Sequence, residues 1–447
     1  MKLARRTSCR TIDFSNLVGG INVSMLPDVI DDDEMQVCNN FLYGVDSKIL
    51  QKRGGLSAPF ATYPSDVLKS YYDFELNRHL VFLKNGSAYA SLNFGTAVFI
   101  GVLSGTSRPM CCRFDSKVFV ASGGKLQYFD GNSTLVTIAN APLADFVFVR
   151  EGRIVCFKTQ DDMARYSGTG DGTFWTEDPN DDSSASWIEI GYKDDGDLID
   201  AVSMANDIFF FKSNGFIYKL SGEYPDWSVD KVAEDSGLDT RLCATHIGDD
   251  VAFVGRRGLK TLYGVSSYTD IATKDIGDKF NSLITSSYSQ PRVWNIYKHH
   301  SLFINPNCGN KLVVYNYDLQ ACTTLTFPFE VVDVFETSTS IVIVSPRSFY
   351  YFDRQYLTDN GTPITYRILT KRHITVYDRL LLSMVDVSVS GSTSGVLTIK
   401  INNLSLTAPN LERKNFKINY TVPYIELDIT GTDDLIFNRI SLEVTDL

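Results

Sequence analysis

A chain of 447 residues with 44% hydrophobic and 12% aromatic content is globular rather than disordered, and it is long enough for two or more structural units. Its 42 Lys and Arg against 53 Asp and Glu leave a formal charge of −11. That excludes a protein built to grip nucleic-acid phosphates by counterion release, but suits a surface along which nucleic acid passes without adhering. No apolar run approaches the roughly 18–20 residues of a membrane-spanning helix.

The start, MKLARRTSCR, is basic and has no apolar segment behind it. It is not a secretory signal; it reads as an arm that docks on an acidic neighbour, an organellar transit peptide being the alternative. Residues 1–55 form a first unit. Asp31, Asp32, Asp33 and Glu34 are expected to open a short helix there, because acids suit the positive end of a helix. Met35, Val37, Cys38 and Phe41 give that helix few apolar anchors. With Gly19 and Gly20 ahead of it, the unit reads as an arm laid over the next domain or over a neighbour.

Residues 56–355 repeat one pattern. A short strand, a turn, a strongly apolar strand, a turn with Gly or Asn and a further strand recur from Val67, Arg108, Ala141, Asp197, Gly237, Arg292 and Glu330. The seven copies are about 44 residues apart, within the period of roughly 40–50 expected of propeller blades. The turns LKNGSAY and KSNGFIY carry the Asn-Gly that tight hairpins need for positive φ. Phe209, Phe210 and Phe211 should alternate between the two faces of one blade, each face packing on a neighbouring blade. The expected architecture is all-β: an about seven-bladed β-propeller with an N-terminal arm and a C-terminal antiparallel β-sandwich.

The sandwich is expected over residues 356–447, where alternation is clean. Val385, Val387 and Val389 should face one way, with Asp386, Ser388 and Ser390 opposite. Leu397, Ile399 and Ile401 repeat the pattern, as do Leu427 and Ile429.

Chemistry is sparse. Eight cysteines (Cys9, Cys38, Cys111, Cys112, Cys156, Cys243, Cys308 and Cys322) include no C-x-x-C pair and read as small buried hydrophobes in a reduced compartment. Cys111 and Cys112 should lie on opposite faces of one strand. Of five histidines (His79, His246, His299, His300 and His373) the adjacent pair His299–His300 should face opposite sides of a strand, which keeps the two from sharing a metal. The acidic turn of Asp194, Asp195 and Asp197 lacks the spacing and closing Glu of a calcium loop. SGTGDGTFW, from Ser167, is a near miss to the sialidase Asp-box, because Asp171 and Gly172 are adjacent. A sialidase-like site also needs clustered arginines at the propeller mouth, which the sequence does not locate. No catalytic, cofactor-binding or metal-binding residue is assigned, and no cofactor is expected.

Three segments together resemble the β-propeller tail hub or nozzle (head-to-tail stabilising) proteins of tailed bacteriophages. The first is FSNLVGGIN through LPDVIDDDEMQVCNNF to KILQKRGGL, with Gly19, Gly20, Ile21, Asn22, Pro27, Asn39, Arg53 and Gly54 at the similar positions. The second is RYSGTGDGTFW with IEIGYKDDGDLIDAVSMANDIFFFKSNGFIYKLSG. The third begins at KRHITVYDRL. One departure is the long acidic, Ser-rich loop in TEDPNDDSSASW. The resemblance implies a non-catalytic virion structural protein, assembled in the host cytoplasm. It implies six copies in a ring below the portal, contacting portal or head-to-tail adaptor proteins and tail fibres, with genomic DNA passing through and no membrane involved. It also implies that loss of residues 1–50 leaves a soluble monomer that does not enter tails. The alternative is a tail component that binds a surface glycan or receptor, with Trp175, Trp187 or Trp227 stacking on sugar.

Overall fold

The computed structural model describes residues 9–45, 47–132, 134–263, 271–374, 379–391, 396–409 and 414–446. The basic start at residues 1–8 and the 375–378 part of KRHITVYDRL lie outside them. Among the described residues the regular secondary structure is almost wholly strand; its helical elements are one turn at Asn281–Thr285 and a 3-10 turn at Tyr297–His299.

Between Val67 and Asp353 the described strands form seven successive antiparallel groups, five of them separate four-stranded sheets and the last two the leading strands of a 10-stranded and a 7-stranded sheet; each group is called a sheet below. Their first strands are Val67–Asp73, Met110–Phe114, Phe146–Arg150, Leu198–Met204, Ala244–Ile247, Arg292–Ile296 and Asp333–Glu336. Each predicted repeat starts at one of these strands or a few residues before it. The second strand of each sheet is apolar on both faces because both are covered. Phe209 and Phe211 pack toward Val251 and Phe253 of the fifth sheet, while Phe210 packs toward Phe146 and Phe157 of the third. Cys111 and Cys112 likewise pack on opposite sides of their strand. Gly86 and Gly215 supply the positive φ of their turns, at 87° and 90°.

Every sheet shares an apolar cluster with the next, and the seventh shares one with the first. Val342, Val344 and Phe349 meet Val67, Val81 and Leu83 there. This is the stacking of a propeller-type fold, in which sheet faces rather than one central core carry the burial.

The N-terminal residues are threaded through this architecture. Cys9–Phe14 pairs with Leu435–Asp446. Glu34–Asn39 lies between Ala321–Thr326 of the sixth sheet and Tyr366–Thr370, and so links that sheet to the C-terminal strands. Phe41–Tyr43 and Leu50–Lys52 join Leu435–Asp446 in the other C-terminal sheet. Gly55–Leu56 and Ala61–Thr62 pair with Ser348–Asp353 of the seventh sheet, and Gly55–Leu56 carries the sheet on to Thr358–Asp359.

The expected helix after Asp31 is therefore a strand, Glu34–Asn39. Glu34 is 1% exposed and binds Asn22 and Lys279, at 2.8 Å each; it is a joint, not a helix-end charge. Met35 and Cys38 are fully buried, and strands wait on both edges, so tertiary pairing overrides the local helix signal.

Beyond residue 355, the alternation holds. Val385, Val387 and Val389 are buried while Asp386, Ser388 and Ser390 are partly exposed. Leu397, Ile399, Ile401, Leu427 and Ile429 are buried as well. The two C-terminal sheets turn these residues into one apolar cluster, which runs on through Met35, Cys38 and Cys322 to Ala252 and Leu302. The cut at 355/356 thus does not separate two cores.

Candidate functional site

Within three residues of the start of each first strand stands a charge: Asp66, Arg108, Asp145, Asp200, Arg241, Arg292 and Asp333. Six of the seven sheets converge around a cavity of about 470 Å³ beside these residues. Leu68, Ile199, Leu242 and Pro291 give it apolar wall, and Arg108, Arg241 and Arg292 bring three guanidiniums to it. The structure thus supplies the arginine cluster that the sequence did not locate.

Asp333 is buried and joins four sheets. Its carboxylate accepts from Lys69 Nζ at 3.0 Å, Arg108 Nη2 at 3.0 Å, Trp294 Nε1 at 2.8 Å and Ser70 N at 2.9 Å. Burial alone would raise its pKa; Lys69 and Arg108 reverse this and hold the carboxyl below its ordinary range. Asp145 is held low in the same way. Burial is outweighed by Lys158 at 2.8 Å, Thr159 at 2.7 Å and Arg241 at 2.9 Å.

Asp200 differs. Burial pushes it up to about 7, against the backbone N–H groups of Cys243, Leu242 and Ala201 and the charge of Arg241. Arg108 is drawn down to about 10, by burial first and then by the like charge of Arg292. Arg292 donates to the Val332 carbonyl at 2.5 Å, which also accepts from Arg108 Nη2 at 3.2 Å. The two guanidiniums are neighbours on one oxygen.

The residues singled out from sequence lie elsewhere. Asp194 is clamped by Lys212, whose Nζ donates to it at 2.6 Å and to the Ile190 carbonyl at 2.7 Å. The acidic turn is thus anchored by a buried lysine. Among the described residues no group of three or more His, Cys, Asp or Glu is arranged to hold a metal. Asp171 caps its own turn through Thr173 N at 2.8 Å, and Trp175 Nε1 donates to the Gly172 carbonyl at 3.0 Å. Trp227 Nε1 donates to Glu151 at 2.8 Å, whereas Trp187 is 48% exposed.

His299 and His300 are not on a strand, as expected, but in a turn with His300 at φ 47°. His300 Nδ1 meets Asp318 at 2.5 Å, while burial pushes His299 down to about 4.

The motif positions of the N-terminal segment are joints. A Cβ on Gly20 would stand 2.4 Å from Cys322 N, and one on Gly54 would stand 2.4 Å from the Asp353 backbone. Asn22 holds Glu34, and Arg53 is buried against Asp359.

The arginine cluster did have a sequence signal. TSRPMCC, DTRLCAT and SQPRVWN place Arg108, Arg241 and Arg292 at the same distance ahead of the second strands Lys117–Ala121, Asp250–Gly255 and Ser301–Asn305. The signal is visible only once these copies are aligned on their second strands.

No protein-family profile matches the chain, and no curated protein matches it. Among solved structures, similar ones include BamB from Moraxella catarrhalis, at 11% identity and a TM-score of 0.44 over 72% of this chain and 94% of that one. The Pan2 WD40 domain of Neurospora crassa matches at 9% identity and a TM-score of 0.46, covering 68% and 95%. The WD40 β-propeller domain of Doa1 matches at 13% identity and a TM-score of 0.45, covering 67% and 96%.

Proposed function

We propose that the chain is a non-catalytic structural protein of a bacteriophage tail. In this reading it is a seven-bladed β-propeller carrying a C-terminal β-sandwich, and it forms a hub or nozzle ring of six copies below the portal. Portal or adaptor proteins and tail fibres are its neighbours, and genomic DNA passes it without specific binding. The observation that carries the reading is the use made of its most distinctive residues. Gly20, Asn22, Arg53 and Gly54, where the sequence resembles tail hub proteins, are spent on tying the N-terminal segment to the last sheets. Residues committed to joints suit a scaffold under load rather than an active centre.

The net charge of −11 suits a ring that DNA slides through. A ring requires heterologous contacts that close by rotation. The outer strand of the first sheet, Val98–Val102, exposes Val98 at 61%, Phe99 at 53% and Val102 at 57%, beside Leu92 at 68%. In the proposed ring this edge is covered by a second copy. Native mass spectrometry with negative-stain imaging tests it. The wild type should form rings of one stoichiometry, and Phe99→Glu should yield a monomer with unchanged melting. A wild type that stays monomeric at every concentration, with no rings, overturns the reading.

A second reading, a receptor- or glycan-binding tail component, is favoured by one observation, the exposed ring of Trp187. Glycan-array binding that is lost in Trp187→Ala would support it.

A further inference from the structure

We propose that the cavity at the entry of the first strands binds a small organic anion, its carboxylate or phosphate group held by Arg292 with Arg108 and Arg241 beside it. The site goes beyond the scaffold reading and stands or falls separately from it.

Three observations converge. The first is shape. A cavity of about 470 Å³ lies within the roughly 300–1,000 Å³ of small-molecule sites, and mixed apolar wall with a few convergent polar groups is their usual lining. Leu68, Ile199 and Pro291 would face the body of the ligand.

The second is charge. Arg108, Arg241 and Arg292 line the site; the carboxylates Asp333 and Asp145, bound to Arg108 and Arg241, each also hold a lysine, Lys69 and Lys158. Asp200, close to Arg241, is partly protonated near neutrality. Asp239, on the cavity wall, is engaged by Arg256 at 2.6 Å. The balance is positive, inside a chain whose total is −11.

The third is the state of Arg292. Arg108 has Asp333 and Arg241 has Asp145, but among the described residues Arg292 forms no ion pair. Its one hydrogen-bond acceptor is the Val332 carbonyl, at 2.5 Å. A guanidinium with unused N–H groups, beside a like charge and in a cavity with apolar wall, is the group that an anionic oxygen pair satisfies.

Citrate and inorganic phosphate are the probes, each at about 10 mM against sodium chloride of equal ionic strength, read by thermal shift and titration calorimetry. The wild type should be stabilised by citrate, by phosphate or by both, and which one does so distinguishes a carboxylate from a phosphate headgroup. Arg292→Gln should melt as the wild type does without ligand, and should bind at least roughly tenfold more weakly, the loss of one charge-assisted contact. Arg292→Lys should bind at an intermediate level. A readout on the unaltered protein is phenylglyoxal modification located by mass spectrometry: the effective probe should protect Arg292. The proposal is overturned if neither probe exceeds the chloride control, if Arg292→Gln is stabilised as much as the wild type, or if Arg292 is not protected.

Discussion

Arg53 and Asp359, 306 residues apart in sequence, form a buried two-point ion pair, Nη1 to Oδ1 at 2.9 Å and Nη2 to Oδ2 at 2.6 Å. The other three N–H groups of Arg53 donate to Asn40 Oδ1, the Gly54 carbonyl and the Thr326 carbonyl. All five donors are used, and the guanidinium lies 4.6 Å from the centre of the Phe327 ring. One side chain thus ties the N-terminal segment to the sixth and seventh sheets. Arg53→Met should cost about 3–5 kcal/mol in denaturant unfolding, because Asp359 is left charged and unpaired. Adding Asp359→Leu should return part of that loss.

Asp333 is the corresponding knot among the first strands, tying the first, second, sixth and seventh sheets. Asp333→Asn keeps its shape but removes the counter-charge of Lys69 and Arg108, and should cost about 3 kcal/mol or more. Trp294→Phe removes one donor and should cost about 1–3 kcal/mol. The sign with pH follows from a depressed carboxyl pKa. The stabilisation is complete above the unfolded value of about 3.9 and is lost as pH falls below it toward the folded value. Equilibrium unfolding of the wild type and Asp333→Asn between pH 2 and 6 should therefore converge at the acid end.

His79 gives a second, separate acid response. It is 1% exposed, with Phe94, Phe335 and Phe349 at centroid distances of 4.8, 5.4 and 5.1 Å. Burial pushes its pKa down to about 3. The unfolded chain takes up a proton below about pH 6.5 that the native state refuses, so stability falls from there toward pH 3. Between pH 6.5 and 5 the loss is about 2 kcal/mol. Asp200, raised to about 7, acts in the opposite sense, so the difference between the wild type and His79→Leu isolates the histidine. His79→Leu should lose less stability on acidification; parallel pH profiles for the two would rule this out.

Phe210 and Phe99 separate scaffold from surface. Phe210 is fully buried, edge-on to Phe157 at 5.5 Å, and Phe210→Ala should cost about 3–5 kcal/mol. Phe99, at 53% exposure, should cost within about 0.5 kcal/mol when changed to Ala. Similar losses for the two would contradict the assignment of sheet faces as the core.

Much of this was legible in the residues. Seven apolar second strands, the alternation of Phe209–Phe211 and the opposed Cys111 and Cys112 follow from the two-residue period of a strand covered on both faces. What was not legible depends on partners far away in sequence. The acids at Asp31–Glu34 look like a helix start until Asn22 and Lys279 are seen holding Glu34. His299 and His300 read as a strand because nothing local announces that His300 takes a left-handed conformation. Arg53 reads as part of a loose motif, and only the fold reveals its bond to Asp359.

The arginines at the cavity were missed for a different reason. Arg108, Arg241 and Arg292 are isolated in sequence and become a group only through the radial stacking of their strands.

The threading of the N-terminal segment also revises what its removal should do. Glu34–Asn39 and Gly55–Leu56 are internal parts of two sheets, so the strands between Cys9 and Thr62 are a fastening and not a detachable arm. Circular dichroism and thermal unfolding of the chain lacking residues 1–62 test this most directly. The account predicts aggregated or molten protein with no cooperative transition; a soluble, cooperatively melting monomer with a transition close to that of the intact chain would contradict it.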